Sequence, residues 1–290
     1  MRVLAAGNQK GGVGKTFVVC QLSYYAAECG VPTLLLELDH QCNASNSMRR
    51  GGRAVLAGFS MLDVFEGRAQ ALPDAPLVVV PAAAGLDALE RQPAQHNRYV
   101  NALQQFLQQA AARFGLCVMD TNPSPDVRYG AALVTADFLL SPVQLNQEAI
   151  EGIATLLHAG RYGYHRVRER LNPRLQLLGI LPNQVEATPF QRANLQQLVQ
   201  AHPGLLIPVQ RGENMGYAYV PTRTAVAEAQ AAGVPLWQLR AAAPQLAAAS
   251  APAGPALPPL RSAAREAWRE IRPSFAAILA RLGLEQGGGA

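Results

Sequence analysis

The chain has 290 residues, 49% of them apolar and 16% charged, with a mean hydropathy of +0.04. That is enough for one large domain or a domain with an appendage, and it excludes a disordered chain, which is charge-rich and apolar-poor. No run approaches the roughly 18 apolar residues of a membrane span, and the N-terminus lacks the apolar core of a signal peptide, which places the protein in the cytoplasm. The net charge is +5, and Lys10 and Lys15 are the only lysines among 25 basic residues. A compact ammonium and a forked guanidinium are not interchangeable where a phosphate must be reached, so residues 10–16 stand out. Cys20, Cys29, Cys42 and Cys117 form no C-x-x-C pair and have no metal-ligand spacing, which reads as reduced thiols packed as small apolar side chains.

In chain order, the pattern predicts a strand over 3–6, a helix over 16–29, and strands over 33–38 and 77–80. A helix over 101–114 and strands over 116–119 and 138–140 follow. Residues 148–171 read as helical with a break near 160–163, and 175–181 as a strand. Continuous apolar strands alternating with longer helices predict a doubly wound α/β fold, a mostly parallel sheet with helices on both faces. The domain is expected to span 1–240. Residues 241–260 are rich in alanine and proline and carry no charge, which reads as a linker or loop. A helix over 261–282 then packs on the domain, with a kink or break expected at Pro273, and 283–290 reads as a disordered tail.

Directly after the first strand comes Gln9-Lys10-Gly11-Gly12-Val13-Gly14-Lys15-Thr16, followed by a helix. Glycines let successive backbone amides turn inward around a phosphate, and the helix N-terminus adds its partial positive charge. Lys15 neutralises β- and γ-oxygens, and Thr16 offers a hydroxyl to Mg2+. The general pattern has glycine where this chain has Gln9. A chance glycine-rich turn is a poor alternative between a strand and a helix with both lysines of the chain inside it.

Lys10 to Thr16 resembles the deviant Walker-A loop of the ParA/MinD ATPases, and Asn8-Gln9 resembles the ParA branch of that family. The resemblance implies a P-loop fold, ATP and Mg2+ as ligands, and weak, partner-stimulated hydrolysis. It implies nucleotide contacts from Lys10, Gly11, Gly12, Val13, Gly14, Lys15, Thr16 and Phe17, with Lys10 crossing a dimer interface to the nucleotide of the partner subunit. Phe17 departs from the family, which commonly has a second Thr or Ser near the α-phosphate. Glu37-Leu38-Asp39-His40-Gln41-Cys42-Asn43 resembles switch I, usually D-x-D-P-Q-x-N, where Asp39 matches the carboxylate that orients the attacking water near Mg2+. Glu37, His40 and Cys42 replace Asp, Pro and Gly. From the residues alone, a carboxylate just past a strand end faces the ligand crevice of an α/β fold, and an Asx-turn or helix N-cap is the alternative. His40 reads as an exposed loop histidine.

Leu116 to Pro123 resembles Walker B with switch II, usually D-T-P-P, which puts Asp120 within reach of a Mg2+-bound water and replaces a proline by Asn122. The resemblance thus implies Lys10, Lys15 and Asp39 as catalytic residues and Thr16, Asp39 and Asp120 around the metal. Residues 179–184 resemble ParA proteins as well. Asn183 either hydrogen-bonds the adenine edge or is an ordinary loop asparagine. With segments 207–208 and 225–237, the resemblance covers 1–237 and the last helix, to which the linker is an addition.

The resemblance implies a switch: an ATP-bound sandwich homodimer that hydrolysis releases. In one output class the dimer binds DNA without sequence preference and a ParB-like centromere-binding protein stimulates hydrolysis, driving plasmid or chromosome partition on the nucleoid. Two arginine clusters are available: Arg161, Arg166, Arg168, Arg170 and Arg174, or Arg261, Arg265, Arg269 and Arg272 with Arg211 and Arg223. The second is favoured because the family's DNA surface lies on that side; a solvated helix face is the alternative for either. In the other class, a MinD-like or cargo-positioning ATPase acts on a membrane or protein cluster, but the tail Gly-Leu-Glu-Gln-Gly-Gly-Gly-Ala has no apolar-basic face, so no membrane partner is expected.

Overall fold

The computed structural model describes residues 1–240 and 259–284; most of the expected linker and tail, 241–258 and 285–290, lie outside the described residues. The elements run β1 (Arg2–Ala6), α1 (Lys15–Glu28), β2 (Thr33–Glu37), α2 (Asn43–Gly51), β3 (Val55–Leu56), α3 (Met61–Phe65) and β4 (Leu77–Val80). Then come α4 (His96–Ala110), β5 (Leu116–Asp120), α5 (Val127–Thr135), β6 (Phe138–Val143), α6 (Gln147–His158), α7 (Tyr164–Arg170), β7 (Gln176–Val185) and α8 (Pro189–Ala201). The chain closes with β8 (Pro208–Arg211), β9 (Asn214–Tyr217), β10 (Val220–Pro221), α9 (Thr224–Ala232) and α10 (Ser262–Arg281).

Eight strands form one sheet in the order β10-β7-β6-β1-β5-β2-β4-β3, and every neighbouring pair is parallel. The doubly wound α/β fold expected from the sequence is therefore present. β8 and β9 form a separate antiparallel hairpin. Side chains alternate across each strand, so Val3 and Ala5 of β1 join one core layer with Leu103 and Phe106 of α4, Tyr129 of α5 and Ile153 of α6. Leu4 and Ala6 join the other, with Val18 and Leu22 of α1, Met48 of α2, Ala229 of α9 and Phe275 of α10. Burial on both faces explains why these strands are apolar without interruption.

The break expected near 160–163 separates α6 from α7. Of the kink or break expected at Pro273, the break is absent: α10 runs from Ser262 to Arg281 with Pro273 inside it. An interior proline costs roughly 3 kcal/mol, and here it sits among residues whose burial offsets that cost, with Ile271, Ser274, Phe275 and Ile278 all fully enclosed. α10 is also clamped by aromatics. Trp268 stacks on Trp237 with centroids 4.1 Å apart, and Tyr25 of α1 meets Trp268 edge-on at 5.3 Å. At its start, Arg240 and Leu260 form an antiparallel bridge, and the Arg261 amide donates to the Leu239 carbonyl at 3.0 Å.

Candidate nucleotide site

β1 lies between β5 and β6, so the loop leaving it opens at the middle of the sheet's C-terminal edge, where such folds bind ligands. The turn into α1 is made by Gly14, at φ +78°, a left-handed conformation that favours glycine. A Cβ there would also lie 2.1 Å from the Asn183 amide nitrogen. Asn183 donates to the Val13 carbonyl at 2.7 Å, so in this structure its amide braces the loop. Asn8 fastens the other side, donating to Pro142 O at 2.8 Å and accepting from the Lys10 amide at 2.9 Å. The buried Lys15 ammonium donates to the carbonyls of Asn8 and Lys10, each at 3.0 Å. Its burial pulls its pKa down, against the opposing pull of Asp120 and Asp39.

The carboxylates come from adjacent strand ends, since Ala6, Asp120 and Glu37 are in register across β1, β5 and β2. Asp120 is buried, and neither of its oxygens accepts a hydrogen bond of full geometry. Its desolvation raises the carboxyl to about 7, opposed by the neighbouring Thr16 hydroxyl and Lys15 and assisted by Glu37 and Asp39. Two buried acceptor oxygens without a partner, beside a hydroxyl, fit the ligand set of a divalent cation. Asp39 is half-buried, and its Oδ1 accepts from the Gln41 amide at 3.1 Å, so it forms an Asx-turn while facing the Lys15 side of the crevice. The Leu38 amide donates to the Asp120 carbonyl at 2.9 Å.

Glu37 has a role that its place in the motif concealed. Fully buried, its Oε1 accepts from the amides of Ala44 at 2.6 Å and Ser45 at 3.2 Å, and its Oε2 from Ala82 at 3.3 Å. It therefore anchors the N-terminus of α2, where a negative charge is favoured, although burial raises its pKa. The residue before α2, Cys42, has φ +56°.

A cavity of about 420 Å³ adjoins Gly14 and Phe17, where Phe17, Pro221 and Val226 offer apolar surface and Asn183 and Gln184 offer amide groups. A second, of about 260 Å³, lies on the other side of the loop against Lys10, Gly11, Asn146 and Gly152. The motif residues thus converge on one crevice, whereas the arginines fall into separate groups, some of them held in ion pairs. Arg211 stacks over Tyr219 and donates to Glu270 O at 2.7 Å, Arg223 pairs with Glu270 at 2.8 Å, and Arg261 pairs with Glu228. Arg265, Arg269 and Arg272 remain together around an open cavity with Tyr25 and Trp268. Arg161 is tied to Glu90. Sequence inspection missed the buried pair Asp126 and Arg128, whose further partners lie as much as 90 residues away.

A glycine loop between a central parallel strand and a helix, with lysine above it and strand-end carboxylates beside it, defines a phosphate-loop nucleotide-binding protein. The sequence matches the family described as AAA domain over residues 1–177. It is 30% identical over 280 residues to protein IncC of Escherichia coli, covering 94% of this chain and 67% of that protein. It is 31% identical over 255 residues to the chromosome partitioning protein ParA of Caulobacter vibrioides, covering 84% and 90%. The solved structure of apo McdA from Cyanothece superposes with a TM-score of 0.72 over 98% of this chain and 100% of that one; at 15% identity the likeness is one of fold. The chain belongs to the ParA family of partition ATPases.

Proposed function

We propose that this protein binds ATP with Mg2+, dimerises in the ATP state, binds DNA without sequence preference and positions plasmid or chromosomal DNA with a ParB-like partner that stimulates hydrolysis. The observation that carries the reading is the meeting of Lys10 and Lys15 in one loop with Thr16, Asp39 and Asp120 across the crevice. No helix of the described residues is long and apolar enough to cross a membrane.

The roles follow from chemistry. Loop amides and Lys15 hold the β- and γ-phosphates, and the walls around Phe17 hold the base. Thr16 and Asp120 would hold Mg2+, which when bound would supply Lewis-acid stabilisation of charge on the phosphate oxygens. Asp39 accepts a hydrogen bond from the attacking water and aims its lone pair at the γ-phosphorus; the water oxygen bonds to that phosphorus as its bond to the β–γ bridging oxygen breaks, ADP is the leaving group, and the water's proton passes to the phosphate formed. Lys10, beside the second cavity, reaches the nucleotide of the partner subunit. Loss of the γ-phosphate removes what the two subunits share and releases the dimer.

The test measures mass by light scattering and mobility on two unrelated DNA duplexes, with ATP and with ADP. A dimer that shifts both duplexes in ATP alone is the expected result. A monomer in ATP sinks the sandwich reading, and equal shifts in ADP sink the switch.

A further inference from the structure

Between the loops that carry Asp39 and Asp120 sits a charged side chain that the chemistry above does not use. Arg128, in the first turn of α5, is 3% exposed. Its Nε and Nη2 both donate to Asp126 Oδ2, at 3.1 and 2.5 Å. Its Nη1 donates to the Leu38 carbonyl at 3.3 Å and meets Nδ1 of His40 at 3.1 Å. Asp126 caps α5, accepting from the amides of Arg128 at 3.0 Å and Tyr129 at 3.4 Å, and its Oδ2 also accepts from the Asn122 amide group at 3.0 Å.

Leu38 and His40 flank Asp39, and Asn122 lies two residues past Asp120. One guanidinium therefore grips the chain on both sides of Asp39 and, through Asp126, the loop that follows Asp120. A charge this deeply buried is costly unless paired and hydrogen-bonded. A planar fork meets acceptors in several fixed directions at once, whereas an ammonium offers charge from a single point. Replacement of the motif proline by Asn122 fits the same network, since proline has no amide group to reach Asp126.

We propose that Arg128 is a positioning residue for hydrolysis, holding Asp39 in register with Asp120 so that the two switch loops move as one unit. This rests on the role given to Asp39 under the proposed function. Among the described residues, Arg128 bonds to Asp126, Leu38 and His40 and not to the phosphate loop, so nucleotide affinity should not depend on it.

The test compares the parent with Arg128→Lys, His40→Ala and Asp39→Ala, measuring kcat, KM for ATP and the Kd of a fluorescent ATP analogue. Arg128→Lys should lower kcat by about tenfold or more and leave KM and Kd within about twofold, as misplacement of a catalytic group does. Added to Asp39→Ala, it should cause no further loss, because it acts through Asp39; a merely structural role predicts losses that multiply, or weakened binding. If Arg128→Lys does not fold, His40→Ala keeps the Arg128–Asp126 ion pair and removes an imidazole that lies 3.1 Å from Arg128 Nη1 and 3.6 Å from Asp39 Oδ1. It should lower kcat by roughly two- to fivefold, again without a change in KM and again masked by Asp39→Ala. Parental kcat in both variants, or full additivity with Asp39→Ala, overturns the proposal. A parent that does not hydrolyse ATP at all overturns the ATPase assignment instead.

Discussion

The Lys15 ammonium donates to the carbonyl of Lys10 at 3.0 Å, so the only two lysines of the chain meet across the phosphate loop. Their tasks nonetheless differ. Lys15 is buried at the start of α1, whereas Lys10 lies beside the cavity on the far side of the loop. Lys15→Ala removes the charge that the β- and γ-phosphates need, and ATP affinity should fall by about 10²-fold or more. Titration with a fluorescent ATP analogue checks this, and undiminished binding would contradict the phosphate-loop assignment.

Lys10→Ala should bind ATP yet stay monomeric, while Asp39→Ala should bind ATP, hydrolyse it poorly and accumulate as a dimer. Light scattering in ATP separates the two, and identical masses would deny them distinct roles.

Asp120 gives a pH dependence with a definite sign. Its carboxyl titrates near about 7 in the folded chain against 3.8 in the reference state. Between those values the folded state keeps a proton that the unfolded chain has released, so stability is fully present below the lower value and declines as pH rises through the upper one. In EDTA without nucleotide, Asp120→Asn should melt several degrees above the parent at about pH 8, with the gap clearly narrower at about pH 5 and closed only below about pH 4. Melting curves at both values decide it; a constant gap would show that another group sets the slope.

Cys42 stands at φ +56°, a left-handed conformation that glycine adopts without penalty. A left-handed conformation costs an L-residue roughly 1–2 kcal/mol, part of which glycine returns as unfolded-state entropy. Cys42→Gly should therefore stabilise the protein by about 1 kcal/mol. Urea unfolding measures it, and a destabilised variant would show that the Sγ contact with His40 O outweighs the strain.

The arginines divide into two groups. Arg265 and Arg269 line an open cavity with Arg272, and replacing either with alanine should weaken DNA binding and lower the salt slope by about one unit per contact. With six to ten contacts per dimer, affinity should fall about 10³- to 10⁵-fold between about 50 and 200 mM salt. Arg211→Ala should instead lower Tm, because Arg211 holds Glu270 O and Ser274 beneath Tyr219. Gel shifts and melting curves on the three variants test the division.

Strands buried on both faces were legible because an unbroken apolar run has few other uses; β4 matches its expected bounds residue for residue. The phosphate loop was legible because its chemistry is local. Glu37 and Arg128 were not, for a physical reason. Glu37 resembled a simple exchange of acids until α2 was seen to begin on it. Arg128 acts on Leu38 and His40 from 90 and 88 residues away, and no spacing within α5 announces such partners. α2 is similarly hidden, since it starts at a strained cysteine and carries neither a side-chain N-cap nor an acidic first turn.

The bridge between Arg240 and Leu260 stitches together the two points where the Ala/Pro-rich segment departs and returns. α10 takes its position from that bridge, from the Arg261 amide on the Leu239 carbonyl and from Trp237 against Trp268, contacts that do not involve the residues between 240 and 259. Closure entropy grows only with the logarithm of length, about 0.6 kcal/mol for each doubling. Lengthening, shortening or exchanging the segment between Arg240 and Leu260 should therefore leave the melting temperature of the ATPase fold nearly unchanged, which makes it the place to splice in a fluorescent module.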